Sequence, residues 1–244
     1  MSGNEIFSGL TAVPPVFVRI DGRAFHALTS HEGFKKPFDE DFMGIMTSVA
    51  SSLISESGLE PVFAYVFSDE INLYFKNLPF GGRVEKIDSV CASYAAGAFV
   101  AVSGFKTPAS FDARIVFTTE AEAAGYLEWR QREAWRNHIN AYCQYSLISE
   151  GMSSRKAADT LKGMKSADMH EMMFKRGVNL SKTPSWQRRG VIVRREAYIK
   201  TGYNPVEKKE VLTERSKVTI DDNPPLFHTE EGRDYICKII GNQG

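Results

Sequence analysis

Cysteine is scarce in this sequence, and neither a long apolar run nor an excess of one charge is present. The three cysteines, Cys91, Cys143 and Cys237, lie far apart and form no Cys-x-x-Cys pair, which argues against a disulfide framework and a cysteine zinc site. No apolar run approaches the roughly 20 residues of a membrane span, and the first residues lack the basic and apolar segments of a secretion signal. These absences predict a cytoplasmic protein without a membrane partner.

The composition is that of an ordinary globular protein. The 244 residues are 43% hydrophobic and 25% charged, with 30 Lys and Arg residues against 30 Asp and Glu residues. This balance excludes wholesale disorder, and the length suits one large domain or two small ones that share a core. A net charge of zero still allows local basic patches that bind a polyanion.

Apolar spacing in residues 1–118 predicts a β-α-β-β-α-β order. The predicted strands cover residues 15–20, 62–67, 71–75 and 111–117, and the predicted helices cover 39–55 and 83–100. Asp21-Gly22-Arg23 is predicted as a turn after the first strand, and Ser68-Asp69-Glu70 as the turn of a hairpin. This order is the ferredoxin-like arrangement of the α+β class, with a four-stranded antiparallel sheet and both helices on one face.

The second half of the chain has a different pattern. Residues 120–149 predict a helix that could break near Glu133, and two short helices follow, one ending at Leu161 and one over 167–174. Residues 188–195 and 208–220 predict basic strands around a Gly202–Pro205 turn. We therefore expect a palm-like domain over residues 1–135 and a helical and β-rich C-terminal region over 136–244.

Acidic residues are predicted at two strand ends that should meet. Asp21 ends the first strand, while Asp69 and Glu70 lie between the second and third strands, and the first and third strands form the centre of this topology. Carboxylates that share a sheet edge repel each other, which favours a divalent cation between them. Polymerase palms and nucleotide cyclases hold two Mg²⁺ ions in this way. Either motif alone could be an ordinary turn, but their coincidence favours a metal site.

Groups suited to phosphate are also present. Gly22 allows a ligand to approach the backbone closely, and the amides from Arg23 to His26 could face a triphosphate. Lys36 precedes the first long helix, and Arg83 and Lys86 share a face at the start of the second. Each cation could equally be an ordinary solvated surface residue.

Several stretches, in order and with family spacing, carry a resemblance over about residues 6–200. The chain resembles the tRNA-histidine guanylyltransferase family of 3′–5′ nucleotidyltransferases. The matching stretches are Val-Arg-Ile-Asp-Gly-Arg-Ala-Phe-His (18–26), Gly-Phe-Lys-Lys-Pro-Phe-Asp (33–39), Ser-Asp-Glu (68–70), Arg-Val-Glu-Lys-Ile (83–87), Phe-Asp-Ala-Arg (111–114), Tyr-Leu-Glu-Trp-Arg-Gln (126–131) and, more weakly, Arg-Arg-Gly (188–190).

The resemblance implies a polymerase-like palm that adds nucleotides to the 5′ end of tRNA, with GTP, ATP and other nucleoside triphosphates as substrates. It implies that Asp21, the Gly22 carbonyl and Asp69 bind two Mg²⁺ ions, with Glu70 as a supporting catalytic acid. It further implies a tetramer built from dimers, and activation of 5′-monophosphate ends by a triphosphate. The nucleotide-binding residues it implies are Asp21, Gly22, Arg23, Ala24, Phe25, His26, Ser68 and Asp69, with Lys36, Arg83 and Lys86 on triphosphates.

Two departures from the eukaryotic branch of the family bear on the choice of tRNA. The branch has His-Ile-Asn-Asn-Leu-Tyr-Asn where this chain has a segment beginning at Trp135, and its Asp-Lys-Asn-Glu is Asp-Met-His-Glu here, with Met169 in place of lysine. Both favour the archaeal and bacterial "like" proteins, which resemble template-directed repair enzymes for 5′-truncated tRNA. The alternative is addition of one guanosine to histidine tRNA. We expect His138 to be a surface or packing residue.

The C-terminal region is locally basic. Residues 187–217 contain nine Lys and Arg residues against four Asp and Glu residues, and basic strands can follow a phosphate backbone. The alternative is a charged edge that prevents strand aggregation. The predicted tRNA-binding residues are Arg130, Arg136, Asn137, Arg188, Arg189, Arg194 and Arg195.

Two rival functions remain open on the residues alone. A nucleotide cyclase would use the same palm but needs no basic tail, and the motifs fit it less well. A non-catalytic RNA-binding module would need exposed aromatic residues on its central strands. Tyr74 and Phe75 are aromatic, but no basic-glycine-aromatic string precedes them.

Overall fold

The computed structural model describes residues 6–204 and 209–241, and a single sheet runs through both halves of the chain. The strands are β1 (Val16–Gly22), β2 (Phe63–Phe67), β3 (Glu70–Phe75), β4 (Phe111–Phe117), β5 (Val191–Asn204) and β6 (Lys209–Asp221). The helices are α1 (Phe25–His31), α2 (Glu40–Ser55), α3 (Val84–Ser103), α4 (Glu120–Ser149), α5 (Ser154–Leu161), α6 (Ser166–Lys175), α7 (Ser185–Arg189) and α8 (Glu230–Gly241).

The sheet is antiparallel throughout and has the order β4-β1-β3-β2-β5-β6. Its first four positions are the predicted ferredoxin-like palm, with β1 and β3 adjacent at the centre, so this prediction is confirmed. The register aligns Asp21 with Glu70 across β1 and β3, and Asp21 with Asp112 across β1 and β4. Acidic residues of three strands therefore meet at one end of the sheet.

Both faces of the sheet are covered, which explains why the central strands carry apolar side chains on both faces. Val16, Val18 and Ile20 of β1 pack in the cluster formed with α2 and α3. Phe17 points to the opposite face, in the cluster that includes Leu127 of α4, because successive strand residues alternate between faces. The predicted placement of both palm helices on one face is confirmed.

Helix boundaries follow the local capping chemistry. Asp39 caps α2 by accepting hydrogen bonds from the Asp41 and Phe42 amides, and Thr119 caps α4 through the Glu122 amide. Such caps satisfy amides that have no partner within the helix. Helix α4 is continuous over 30 residues, so the predicted break near Glu133 is wrong.

Other sequence predictions need correction at the ends of elements. Asp21 and Gly22 belong to β1 rather than to a turn, and the short helix α1 was not predicted. Arg188 and Arg189 end helix α7 instead of lying in a strand. Gly202 lies within β5, and Pro205, the other end of the predicted turn, is outside the described residues.

The two halves of the chain share elements. Strand β5 pairs with β2 of the palm, and helices α5 and α6 pack on α4 in a separate apolar cluster. The predicted domain boundary at residue 135 falls inside α4, and the division into two domains stays a prediction. Within the described part of the chain, no helix is long and apolar enough to span a membrane.

Candidate active site

The end of β1 and the turn between β2 and β3 bring Asp21 and Asp69 together. The Gly22 amide donates a hydrogen bond to the Asp69 carbonyl oxygen at 3.1 Å, and the Ser68 hydroxyl donates to Asp69 Oδ1 at 3.1 Å. Burial raises the pKa of the Asp69 carboxyl to about 6, and the charge of Asp21 adds to the shift. Among the described residues, neither aspartate has a salt bridge within 4 Å. The pair is therefore short of a positive partner.

The backbone after this pair is tightly packed. A Cβ atom at Gly22 would come within 2.5 Å of the Phe25 ring, which is buried in the core. Ala24 starts α1 in the left-handed region, at φ 59°, a conformation costly for a residue with a side chain. The Arg23 amide donates to the Ser110 carbonyl at 2.8 Å, so it does not face a phosphate as predicted.

A cavity of about 350 Å³, the substrate cavity, opens beside Asp69. Lys36 lines it and donates from Nζ to Thr29 Oγ1 at 2.5 Å. Burial lowers the pKa of Lys36, while the charges of Asp39 and Asp69 oppose that shift. The other lining side chains that matter here are His26, Ser68, Asn137, Asn140, Gln144, Tyr145, Trp186 and Gln187. The cavity thus combines two lysines (Lys35 and Lys36), two acids (Asp39 and Asp69) and neutral hydrogen-bonding groups.

Glu70 differs from the prediction that it supports catalysis. Its side chain is 6% exposed and accepts from Arg130 Nε at 2.8 Å, from Arg130 Nη2 and from Asn72 Nδ2 at 2.8 Å. Arg130 is itself 7% exposed, which is incompatible with the predicted contact to tRNA. Asn72 accepts from the Tyr126 hydroxyl at 2.6 Å, so this buried network ties α4 to the strand that follows Asp69.

Arg83 and Lys86 are far from the substrate cavity, contrary to prediction. Thr11, which precedes β1, forms an isolated β-bridge with Arg83. Arg83 therefore lies near the start of β1, where Val16 is aligned with Phe75, the last residue of β3. Val16 and Asp21 are five residues apart in β1, roughly 17 Å at about 3.3 Å per residue. The Lys86 ammonium lies 4.8 Å from the Phe80 ring centre. These cations therefore do not serve the cavity within one chain.

The predicted tRNA-binding residues of α4 differ in their surroundings. Arg136 is exposed and pairs with Glu133 one turn away. Asn137 is exposed and lines the substrate cavity. For both residues, contact with tRNA stays a prediction.

The predicted basic strand does not present one surface. Arg194 pairs with Glu196 on the same face of β5, while Arg195 points to the other face and donates to the Ile54 carbonyl at 2.7 Å. Arg188 and Arg189 lie on α7, both half-buried. The predicted patch is therefore split among two faces of a strand and a short helix.

Two groups of side chains near the site were missed. Asn140, Gln144 and Tyr145 of α4 line the cavity, the last two being four and five residues after the first, a pattern that an amphipathic helix also produces without a site. Arg19 and Arg114 are aligned on the face that carries Asp21, and Asp112, then Asp21, raise the pKa of Arg114. Arg114 is part of a family stretch, which was the available signal.

His138 is a buried packing residue, so that part of the prediction is confirmed. Its side chain is fully buried, stacks on Trp135 at a centroid distance of 5.2 Å and contacts Thr183 Oγ1 at 2.8 Å. Burial, with the charge of Arg188, lowers its pKa to about 3. It is therefore neutral in the folded protein.

The donors at the site fit Mg²⁺. No group of three or more His, Cys, Asp or Glu residues in the described ranges could hold a metal, so a cage made of protein side chains alone is absent there. The carboxylates of Asp21 and Asp69, which repel each other, remain as donors. Mg²⁺ is commonly held by one or two carboxylates together with substrate phosphates. Asp21, Asp69 and the Gly22 carbonyl are the donors that match this pattern.

Comparisons with known proteins agree with this geometry. The family model described as tRNAHis guanylyltransferase matches residues 5–119, and the model described as Thg1 C terminal domain matches residues 122–230. The probable tRNA(His) guanylyltransferase of Dictyostelium discoideum is 28% identical over 233 residues, which cover 90% of this chain and 88% of the relative.

Two solved structures of bacterial tRNA(His) guanylyltransferase (Thg1)-like proteins are also similar. The complex with ATP has a TM-score of 0.75 and 27% identity, covering 95% of this chain and 93% of that chain. The complex with GTP has a TM-score of 0.71 and 26% identity, covering 95% and 92%. The palm and these matches define a nucleotidyltransferase of tRNA processing. Within that class, the chain belongs to the tRNA(His) guanylyltransferase family.

Proposed function

We propose that this protein adds nucleotides in the 3′–5′ direction to the 5′ end of truncated tRNA, choosing each nucleotide by pairing with the opposite strand. The observation that carries the proposal is the pair of Asp21 and Asp69, without a salt bridge among the described residues, beside a cavity that also contains Lys36. A nucleoside triphosphate matches that cavity because it offers anionic oxygens to Lys36 and hydrogen-bonding groups to the neutral side chains.

The reaction joins two groups that the cavity would hold side by side. The 3′-hydroxyl oxygen of the incoming nucleotide attacks the α-phosphorus of the activated tRNA 5′ end, an O–P bond forms, and pyrophosphate leaves from a triphosphate end. A 5′-monophosphate end would first attack the α-phosphorus of a triphosphate, again with loss of pyrophosphate. When the 3′-hydroxyl then attacks the phosphorus of the tRNA end, the attached nucleoside monophosphate leaves and the hydroxyl proton passes to solvent. The similarity to proteins solved with ATP and with GTP supports use of both nucleotides.

Each residue of the site has a proposed task. Asp21, Asp69 and the Gly22 carbonyl would hold Mg²⁺, which when bound supplies positive charge for the phosphate oxygens. Lys36 would bind a non-bridging phosphate oxygen, and Ser68 would orient the Asp69 carboxylate through the bond already present. Glu70 is assigned a positioning task, because Arg130 occupies its carboxylate.

The choice between repair and guanosine addition depends on the region around Trp135. Trp135 stands where the eukaryotic branch has histidine, and it packs against His138 and His170. This packing supports the repair proposal, because Trp135, one of the substituted positions, helps to pack α4 against α6 here. The names of the relatives favour the alternative, addition of a single guanosine to histidine tRNA. The family resemblance also supports the proposal of a tetramer of two dimers, and the scarcity of cysteine supports the proposal of a cytoplasmic location.

A template-swap assay tests the proposal. Transcripts of two tRNA species, each lacking the first nucleotide and bearing a 5′-triphosphate or a 5′-monophosphate, are incubated with Mg²⁺ and one triphosphate at a time. We expect only the nucleotide complementary to the opposite base to be added, and the preference to follow that base when it is changed. Addition of guanosine alone, to histidine tRNA alone and regardless of the opposite base, would establish the alternative.

A further inference from the structure

A second cavity lies next to the substrate cavity and has a different character. It encloses about 260 Å³, and we call it the arginine cavity. Arg132, Arg188, Arg189 and His228 supply its basic groups, Trp135 contributes an apolar wall, and Glu128 is the one acidic residue among the described residues that line it. The arginine cavity is therefore mainly basic, whereas the Asp21–Asp69 pair is acidic.

The two cavities occupy different sides of the same helices. On α4, Ala134 and Asn137 line the substrate cavity, whereas Arg132 and Trp135 line the arginine cavity. Neighbouring helical residues point about 100° apart, so the two sets form separate stripes. On α7, residues 186–187 line the first cavity and residues 188–189 the second. A ligand of the arginine cavity would therefore be separated from the substrate cavity by residues of α4 and α7.

The arginines are held in place by backbone carbonyls. Arg188 Nε donates to the Thr183 carbonyl at 2.8 Å, and Arg189 Nη1 donates to the Pro224 carbonyl at 3.1 Å. Each guanidinium has five N–H donors, so these bonds leave most of the donors for a ligand. Arg189 Nε is buried and has no partner among the described residues. Such fixed, incompletely bonded guanidinium groups are preorganised for an oxyanion.

The cavity has more basic than acidic side chains, and its three arginines form no ion pairs within 4 Å among the described residues. Burial, with the neighbouring charge of Arg189, lowers the pKa of Arg188. An anion between these groups would remove their repulsion, and it would reach donors that no carboxylate of the described residues occupies.

We propose that the arginine cavity binds a phosphate group of the tRNA backbone and so anchors the substrate strand beside the substrate cavity. The inference rests on the proposed function, because it takes tRNA as the substrate. The arginine cavity, at about 260 Å³, is smaller than the substrate cavity of about 350 Å³ in which a triphosphate is proposed to bind. Bidentate arginine contacts with phosphate do not depend on the base, which suits an enzyme that acts on several tRNAs.

Removing charge from the cavity should weaken RNA binding and reduce its salt dependence. Arg132→Gln is the first variant, because Arg132 is exposed and its substitution removes no described hydrogen bond. Arg132→Gln/Arg188→Gln is the second. Arg155→Gln is the control, since Arg155 is exposed on α5 and lines neither cavity. The affinity for truncated tRNA is measured by fluorescence anisotropy from 50 to 300 mM salt, and the affinity for ATP by equilibrium dialysis.

We expect the slope of log K against log salt to decrease by about 0.7–0.9 for each tRNA phosphate that the variant no longer neutralises, whereas Arg155→Gln keeps the wild-type slope. ATP affinity should change less than twofold in all variants. An unchanged tRNA affinity and slope in the double variant, with an unchanged unfolding midpoint, overturns the inference. A loss of ATP affinity with intact tRNA binding also overturns it and assigns the cavity to a free nucleotide. If the wild-type protein binds no tRNA, the proposed function itself fails.

Discussion

Asp69 and Glu70 are neighbours in the sequence, yet they lie in two regions that treat a buried carboxylate differently: one leaves it without an ion pair and the other pairs it with an arginine. At the open end of the sheet, Asp69 faces the substrate cavity beside Asp21, and neither carboxylate has a salt bridge among the described residues. One residue further, beneath α4, Glu70 is bound by Arg130 and Asn72. Burial raises the pKa of both acids, but only Glu70 is hydrogen-bonded to a cation, Arg130, that opposes the shift.

Glu70 is neutralised by a partner inside the protein, and His138 shows a second way to bury an ionisable group. It remains neutral because burial lowers its pKa to about 3. A buried charge that is paired inside the protein is structural, whereas a buried charge without such a partner at a cavity is a candidate for binding a ligand. The two regions should therefore respond differently to substitution.

The largest effect is expected at the open end. Asp21→Asn and Asp69→Asn should each abolish nucleotide addition, a loss of at least about 10²–10³-fold, because each removes a proposed Mg²⁺ ligand. The free energy of unfolding should not fall, since either change relieves repulsion between carboxylates. Addition rates and the Mg²⁺-induced shift of the unfolding midpoint are the measurements.

The control for this pair is Asp112→Asn, which removes the same charge from the residue aligned with Asp21 on β4. It should keep addition within a few fold of wild type. Wild-type rates in either Asp21→Asn or Asp69→Asn would refute the proposed metal site.

Beneath α4, the expected loss is in stability. Arg130→Met leaves the Glu70 carboxylate buried without its cation, which typically costs about 3–5 kcal/mol of unfolding free energy. Adding Glu70→Gln should restore part of the loss. Arg136→Met on the same helix breaks an exposed pair and should cost less than about 1 kcal/mol. Both losses are measured by urea unfolding. Equal losses of unfolding free energy in Arg130→Met and Arg136→Met would show that the buried pair contributes no more to stability than the exposed one.

A smaller effect should appear on acidification. Since the folded pKa of His138 is about 3 against an ordinary value near 6.5, the unfolded chain binds a proton below pH 6.5 that the folded protein does not. Stability due to this group is complete above pH 6.5 and decreases as the pH falls towards 3. Between pH 7.5 and 5, wild type should lose about 1–2 kcal/mol more than His138→Gln. His31→Gln, at an exposed site, should follow wild type, and parallel losses in all three proteins would contradict the shift.

The smallest effect is expected at the far end of the sheet. Arg83→Gln/Lys86→Gln should change ATP affinity less than twofold, because these side chains do not line the substrate cavity. Lys36→Gln should weaken ATP binding about tenfold through loss of a charge-assisted hydrogen bond. A tenfold loss in the Arg83→Gln/Lys86→Gln double variant would mean that these cations reach the cavity of another copy of the chain.

The palm was predictable because its signals are local. Alternation identifies β1, helical spacing identifies α2 and α3, and the hairpin turn locates Asp69. The topology then brings Asp69 to Asp21. Helix α1 has only seven residues, too few for a periodic pattern, and so it was missed.

The roles of charged residues were less predictable, because they depend on partners distant in the sequence. Glu70 and Arg130 are 60 residues apart, and nothing local indicates that they pair. Arg83 shares a family stretch with Lys86, yet its place relative to Asp21 depends on the direction of β3 and the loop after it. Arg194 and Arg195 are both basic, but strand geometry sends them to opposite faces.

The length of the β5–β6 hairpin has a consequence for local opening. Only residues 191–194 of β5 pair with β2, whereas residues 195–204 pair with β6 alone, and nearly all described side chains of that outer part are exposed. A two-stranded ribbon without a covered face is marginally stable by itself. Its amide protons should therefore exchange with solvent at low cost, while those of residues 191–194 exchange only when the palm sheet opens. One continuous hairpin thus contains two units of cooperativity, and the division falls beside Phe63, where β2 begins.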